Sequence, residues 1–288
     1  MTSLSSLVLL LLLAANAQAA GNDWMRGLDG KLRLSELSIP GTHDAGARLE
    51  PIPGTARCQS LSIAEQLAAG VRFLDIRCRH LDDSFAIYHG IADQKLTFAE
   101  VIGAVEVFLK ANPAECVIMS VNEEGAAAGN ARTFEETFAT YTAKNPALWS
   151  LGEDIPTLAQ GRGKIVLFRR FRSSSKLGID ASHWPDSSTF TSGKIRVQDC
   201  YQVASNDAKW TTFTALFDEA PNNGLLRLNF SSGVGSVFGM PNIPDVSNDI
   251  NARLTRHFTE HKTGCAGIIV MDFADAARCE LIYRMNLK

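Results

Sequence analysis

Apolar positions along this chain keep two rhythms, and the two alternate. Short dense runs rich in β-branched and aromatic residues occur at Val71–Arg77, Cys116–Val121, Lys164–Phe168, Ile195–Asp199, Leu225–Phe230 and Gly267–Phe273. Such runs predict strands buried on both faces. Between several of them the spacing turns helical. Ser62-Ile63-Ala64-Glu65, Thr97-Phe98-Ala99-Glu100 and Thr133-Phe134-Glu135-Glu136 each have the form of a capping box. The first helix stops at Gly70 and the second near Asn112-Pro113, while Ser247 to His261 forms a further helix stopping at Gly264. Alternating strand and helix predicts a parallel sheet with covering helices. An open doubly wound sheet is the rival arrangement, and the lack of a Gly-rich nucleotide loop after the first strand lowers it.

No Pro/Gly/Ser linker, charge run or internal repeat divides the chain, so one domain is expected. Composition is globular, with 45% hydrophobic and 20% charged residues, and the net charge of −3 argues against a dedicated nucleic-acid binder. Leu4 to Ala15 is apolar and is followed by Ala17-Gln18-Ala19, the pattern of a secretory signal peptide over residues 1–19. Met1 to Ser6 departs from that pattern in having no Lys or Arg. No second apolar run is long enough for an anchor, which predicts a soluble, secreted chain over 20–288. Six cysteines (Cys58, Cys78, Cys116, Cys200, Cys265, Cys279) permit up to three disulfides in an exported protein, and Cys116, inside an apolar strand, has the alternative of a buried thiol. The lack of any CxxC element argues against structural zinc.

The chemistry gathers in two segments. Ile39-Pro40-Gly41-Thr42-His43-Asp44 carries one histidine, and Leu74-Asp75-Ile76-Arg77 with Ile87-Tyr88-His89-Gly90 carries an arginine and a second. Two imidazoles flanking a guanidinium suit phosphodiester cleavage by an internal hydroxyl. One takes the proton of the attacking hydroxyl and the other protonates the leaving alkoxide. The guanidinium neutralises charge building on the phosphoryl oxygens. His43, Arg77, Arg170, Asp199 and Asp272 all fall at strand C-terminal ends, which a (β/α) barrel gathers into one mouth. Asp75 shares a face with Arg77 and is a candidate buried partner for it. His80 and His183 are expected at the surface or behind the site, and His257 and His261 on an exposed helix face. Asn229-Phe230-Ser231 is a formal glycosylation sequon at a strand end facing the mouth, where modification is not expected.

These motifs resemble bacterial-type phosphatidylinositol-specific phospholipase C. The similarity continues through Val117-Ile118-Met119-Ser120, Lys164–Leu167, Trp184-Pro185-Asp186, Val197–Tyr201, Leu228–Ser231 and Ile269–Phe273, in order over roughly residues 30–285. The resemblance implies an irregular, partly open TIM-type barrel. It also implies attack of the inositol 2-hydroxyl on phosphorus, releasing diacylglycerol and a cyclic inositol phosphate without a metal or cofactor. His43 matches the general base with Asp272 orienting it, His89 the general acid with Asp44 as its partner, and Arg77 the phosphate-binding arginine. Arg170, Asp199 and Tyr201 match positions that hold the inositol ring. The implied partner is phosphatidylinositol in a bilayer, free or as a glycosylated anchor, met by a monomer docking peripherally.

Two positions depart from the family pattern. Asn122-Glu123 stands where the family has a lysine pair, and Arg48–Ser60 lacks an aromatic residue for a membrane-inserting rim, offering Leu49, Pro51, Ile52 and Pro53. Val234, Val237, Phe238 and Met240 form an alternative apolar rim, with Trp184 either there or in ordinary packing. Two other functions compete: a metal-dependent phosphodiesterase on a similar barrel, and a non-catalytic inositol- or glycan-binding module. Arg77 opposes the first by standing where a metal would sit. Retention of His43, Arg77 and His89 together opposes the second.

Overall fold

A computed structural model describes residues 21–219, 224–237 and 239–287, with the backbone alone at Val237. The expected leader and Phe238 lie outside the described residues. Strand β1 (Ile39–Thr42) is followed by α1 (Ile63–Ala68), β2 (Phe73–Leu81), a hairpin of β3 (Ser84–His89) and β4 (Ala92–Thr97), α2 (Phe98–Ala111) and β5 (Val117–Glu123). Then come α3 (Phe134–Thr142), β6 (Trp149–Ser150), α4 (Leu158–Gly161), β7 (Ile165–Arg170), β8 (Ile179–Asp180), β9 (Ser188–Ser192) and β10 (Ile195–Asp199). The chain ends with α5 (Asn206–Asp218), β11 (Leu226–Phe230), β12 (Gly235–Val237), β13 (Met240–Asn242), α6 (Ile243–Glu260), β14 (Ile268–Met271) and α7 (Ala276–Tyr283).

All three predicted capping boxes form. At Thr97, for example, Oγ1 accepts from Glu100 N while a Glu100 carboxylate oxygen accepts from Thr97 N. Helix α6 begins four residues earlier than the spacing predicted, because Pro244 fits its first turn and apolar Ile243 and Val246 continue its buried face.

One 12-stranded sheet carries the fold. Its parallel centre runs β7-β5-β2-β1-β14-β11-β10, so the last strand, β14, lies between β1 and β11. Short β6 and β8 edge β7, antiparallel β9 edges β10, and among the described residues these two ends do not pair. The result is a curled, open half-barrel in a single domain, as expected. Every residue of β14 and of β11 is buried, the signature of strands covered on both faces. Side chains such as Phe73, Phe168 and Leu228 fill the interior, each contributing about 1.5–3 kcal/mol by leaving water.

Register aligns the site. Asn122 pairs with Arg77 across β2–β5 and with Arg170 across β5–β7, placing both arginines in one row at the C-terminal rim. Thr42 pairs with Met271 across β1–β14, which sets the following residues, His43 and Asp272, side by side.

The cysteines correct an expectation. All six are free, so the anticipated disulfides are not formed. The thiols are dispersed over separate elements and pack on other groups: Cys116 Sγ lies 3.7 Å from Met25 Sδ, and Cys265 Sγ 3.5 Å from the Ser35 carbonyl. His80 also differs from expectation. It is buried, with Nε2 2.9 Å from Thr137 Oγ1 and its ring edge-on to Phe85 and Phe134. Asn229 is buried too, donating to the Phe213 carbonyl and accepting from Gln198, so the sequon has no accessible amide.

Candidate active site

His43 leaves the end of β1 beside Asp272, and its Nδ1 lies 2.8 Å from Asp272 Oδ1. On the other side of the ring, Arg77 Nη2 lies 2.8 Å from Nε2. A guanidinium can only donate, so this geometry puts the ring proton on Nδ1 and leaves Nε2 as the acceptor. Burial pulls the His43 pKa down, but the charge and hydrogen bond of Asp272 outweigh it and leave the imidazole above 6.5. Gln59, fully buried, donates to the carbonyls of His43 and Met271, both at 2.8 Å, and fixes the backbone where the ring emerges.

Asp75 organises the cations. One carboxylate oxygen accepts from Ser120 Oγ at 3.2 Å and Arg170 Nη1 at 3.3 Å. The other accepts from Arg77 Nε at 3.3 Å and from Asp44 N at 3.2 Å. Burial opposes its charge, yet Arg77 and Arg170 prevail and hold its pKa at about 2. Although burial opposes the charge of Arg77 as well, Asp44 and Asp75 push its pKa well above the usual value. The expectation that Asp75 partners Arg77 is met.

His89, from the end of β3, faces His43 edge-on with ring centroids 6.4 Å apart. Its Nδ1 lies 2.7 Å from the Ala56 carbonyl, while Asp44 Oδ2 stands 3.7 Å away. The nearest partner of His89 is thus a backbone carbonyl, and Asp44 acts on it through charge rather than by a hydrogen bond. Asp44 is fully buried with its backbone at φ 41, and neither carboxylate oxygen has a hydrogen-bond partner. Burial, chiefly, raises its pKa.

A cavity of about 600 Å³ opens over these groups. His43, Arg77, His89, Arg170, Asp199 and Tyr201 all line it, while Asp44 and Asp272 stand behind them. Trp184, left open between rim and packing, belongs to the wall. Its Nε1 donates to Asp199 Oδ2 at 2.9 Å, the Arg170 guanidinium lies 3.8 Å over its ring, and it packs edge-on against Phe168, Phe190 and Phe230. It therefore orients two of the ring-binding candidates at once. Tyr201 donates its hydroxyl to Asp186 at 2.6 Å. Glu124, which the sequence did not single out, accepts from Gly90 N at 2.9 Å and steadies the turn after His89. Gln59 and Glu124 are lone polar residues with no motif of their own, so only the tertiary contacts show their place.

His257, on α6, and His261, just past its end, lie apart from this cavity, stacked with centroids 4.1 Å apart; contrary to the expected exposed face, His257 is half-buried against Trp210 and Phe217. His183 is exposed.

Comparison with known proteins agrees with this arrangement. Residues 52–171 match the family described as phosphatidylinositol-specific phospholipase C, X domain. A Staphylococcus aureus protein (strain Newman) named 1-phosphatidylinositol phosphodiesterase is 29% identical over 275 residues, covering 88% of each chain. A Listeria monocytogenes protein of the same name is 27% identical over 273 residues, covering 91% of this chain and 84% of its own. Among solved structures, a pentafluoro-Phe form of the S. aureus phosphatidylinositol-specific phospholipase C superposes with TM-score 0.84 at 26% identity, covering 93% of this chain and 98% of that one. The L. monocytogenes enzyme gives TM-score 0.77 at 26% identity, covering 93% and 99%. Sequence blocks, sheet order and the two histidines and arginine that line one cavity thus make the chain similar to the bacterial phosphatidylinositol-specific phospholipases C, whose X domain its residues 52–171 match.

Proposed function

We propose that this chain is a secreted enzyme that cleaves phosphatidylinositol, and glycosylated forms of it, into diacylglycerol and inositol 1,2-cyclic phosphate without a metal. The observation that carries the reading is the pair of imidazoles lining one cavity, edge-on to each other, with Arg77 on His43 Nε2 lining it too. Arg77 Nη2 rests on His43 Nε2. An incoming phosphodiester competes for that guanidinium, and its transfer to the phosphoryl oxygens frees Nε2 to take the proton of the inositol 2-hydroxyl. Base activation is thereby tied to phosphate arrival. Asp272 stabilises the imidazolium that results, as a buried carboxylate does beside a general base. His89, across the cavity, protonates the diacylglycerol oxygen as it leaves. Arg170 and Asp199, both held by Trp184, supply donor and acceptor to the ring hydroxyls, with Tyr201 at the side.

The reading includes a leader over 1–19, a catalytic unit over 20–288 that acts as a monomer, and peripheral contact with the bilayer. A solved S. aureus relative comes from work on its membrane binding. Among the described residues no helix is long and apolar enough to cross a membrane.

Phosphatidylinositol vesicles incubated with the enzyme in chelator test the proposal, with phosphorus NMR of the water-soluble product. A cyclic phosphodiester resonance that appears first is the expected result. A phosphomonoester formed directly, or cleavage that stops in chelator and returns with calcium, would overturn it.

A further inference from the structure

Cys58 sits beside His89 and does not itself line the cavity. It is fully buried, and its sulfur stands 3.8 Å from His89 Nδ1. The reaction proposed above has no use for it. His89 Nδ1 is in turn 3.7 Å from Asp44 Oδ2, and single ligand atoms of Asp44, Cys58 and His89 lie within 4.8 Å of one another. A thiol alone would be unremarkable in such a place. Beside it, however, is a carboxylate that is fully buried and has no hydrogen-bond partner on either oxygen, its nearest cation being Arg77 at 3.5 Å. Buried polar atoms are normally satisfied, and an exception calls for a physical reason.

We propose that Cys58, Asp44 and His89 form an inhibitory site for a thiophilic divalent cation of the zinc class. Zinc bonds sulfur at about 2.3 Å and nitrogen or oxygen at about 2.0–2.2 Å, so neighbouring ligands on a tetrahedral centre stand about 3.5 Å apart. The two separations from His89, 3.7 and 3.8 Å, are close to that spacing, and the Asp44–Cys58 pair, within 4.8 Å, closes to it by side-chain movement. Sulfur, imidazole nitrogen and carboxylate oxygen are a zinc donor set, unlike the all-oxygen sets that calcium and magnesium prefer. Thiolate and Asp44 carboxylate together balance the double charge of the ion, and Asp75 already answers Arg77 on its other side. A water or hydroxide supplies the fourth ligand.

On binding, the Cys58 S–H proton is released to solvent and sulfur bonds to the metal. The protonated His89 loses its Nδ1 proton to solvent and gives up its contact with the Ala56 carbonyl, the freed Nδ1 lone pair is donated to the metal, and the remaining ring proton stays on Nε2. His89 is then a neutral, metal-bound imidazole, whose remaining N–H is far too weak an acid to protonate a departing alkoxide. The effect on turnover rests on His89 being the general acid. Metal binding itself does not.

Cobalt chloride titrated into the purified protein gives the direct reading. A near-ultraviolet thiolate-to-cobalt charge-transfer band that saturates at one equivalent is expected, absent in Cys58→Ser and in Cys58→Ala. Zinc chloride should lower phosphatidylinositol hydrolysis by more than about tenfold, with recovery in chelator. Each Cys58 variant, compared with its own zinc-free rate, should need about 10–100-fold more zinc, at least the loss that follows removal of a group supporting a metal site. A wild-type protein that shows no thiolate band overturns the proposal, as do Cys58 variants that keep the wild-type zinc sensitivity. Because cobalt absorption needs no substrate, a saturating band in a protein inert toward phosphatidylinositol would leave the metal site standing and remove only the proposed reaction.

Discussion

His43 and His89 are both imidazoles at the end of a strand, yet they meet different surroundings. His43 faces a carboxylate at 2.8 Å, His89 a backbone carbonyl at 2.7 Å. Burial and Arg77 lower the His43 pKa, whereas Asp272 above all, with Asp75 adding to it, lifts it. In the proposed reaction His43 must be neutral to act as base, so the acid limb of kcat/KM follows it. Asp272→Asn removes the raising influence, and the acid limb should move to lower pH while the plateau falls by about 10²–10⁴-fold. A pH–rate profile with its acid limb unmoved would mean that Asp272 does not act on the base. Leaving groups separate the two histidines. With an activated leaving group that needs no protonation, His89→Ala should regain much of its rate and His43→Ala should not. Equal recovery in both would reverse or abolish the assignment.

At the scale of elements, the mouth is framed by loops whose exposed apolar side chains find no cover. Leu49 and Ile52 are about half exposed and Ile91, at the turn between β3 and β4, is 91% exposed. Gln94 ties that hairpin to the first loop, accepting from Arg48 N and Leu49 N and donating to the Leu49 carbonyl. Met240 stands exposed on the β12–β13 hairpin. This arrangement answers the missing aromatic of 48–60 with aliphatic groups contributed by more than one element. Replacing Leu49, Ile52 and Ile91 with Ser should weaken vesicle binding while hydrolysis of soluble inositol cyclic phosphate stays nearly intact, because interfacial binding scales with buried apolar area. Unchanged vesicle affinity in a sedimentation assay would clear this edge of the mouth of any docking role. Elements with a strong local signature were legible in the sequence: β5, β7, β10, β11 and β14 from dense apolar runs, α1 to α3 from their caps. Others were not. In β3, buried Phe85 and Ile87 alternate with more exposed neighbours, but six residues beside a histidine motif are a weak signal. Helix α5 buries Lys209, Phe213 and Leu216 and has Ser205 as a cap with no Glu three residues on, so neither its stripe nor its start was distinct. The site behaved alike. Residues inside motifs were visible, while Gln59, Glu124 and the double role of Trp184 depend on partners distant in the chain.

For the whole molecule, the base of the barrel is closed by charge as well as by apolar packing. Arg72 and Glu115 are both fully buried and meet at 2.8 Å. The Arg72 guanidinium also donates to the carbonyls of Leu67, Val71, Gly21 and Asn22 and lies 4.4 Å over the Phe108 ring, while Glu115 accepts from Met25 N. The pair thus fastens the first described residues beneath the sheet. Glu115→Gln leaves that guanidinium buried without its counter-charge and should cost about 3–5 kcal/mol in urea unfolding. A loss below about 1 kcal/mol would show the carbonyls alone to be sufficient partners.

The position of β14 bears on when this molecule can fold. Until Ile268–Met271 arrive, β1 and β11 each present an unpaired edge, and Asp272 is missing from His43. Trp24, near the other end, waits for Tyr283 to stack on it at 5.4 Å, and Ser38 waits for Asn286. Contacts so distant along the chain are slow to form. Without Ile268–Met271 the sheet is therefore split into two parts, one ending at β1 and the other at β11, and the strand that joins them also brings Asp272 to His43. In the proposed reaction this ties the His43 base to completion of the sheet, because its carboxylate arrives with β14.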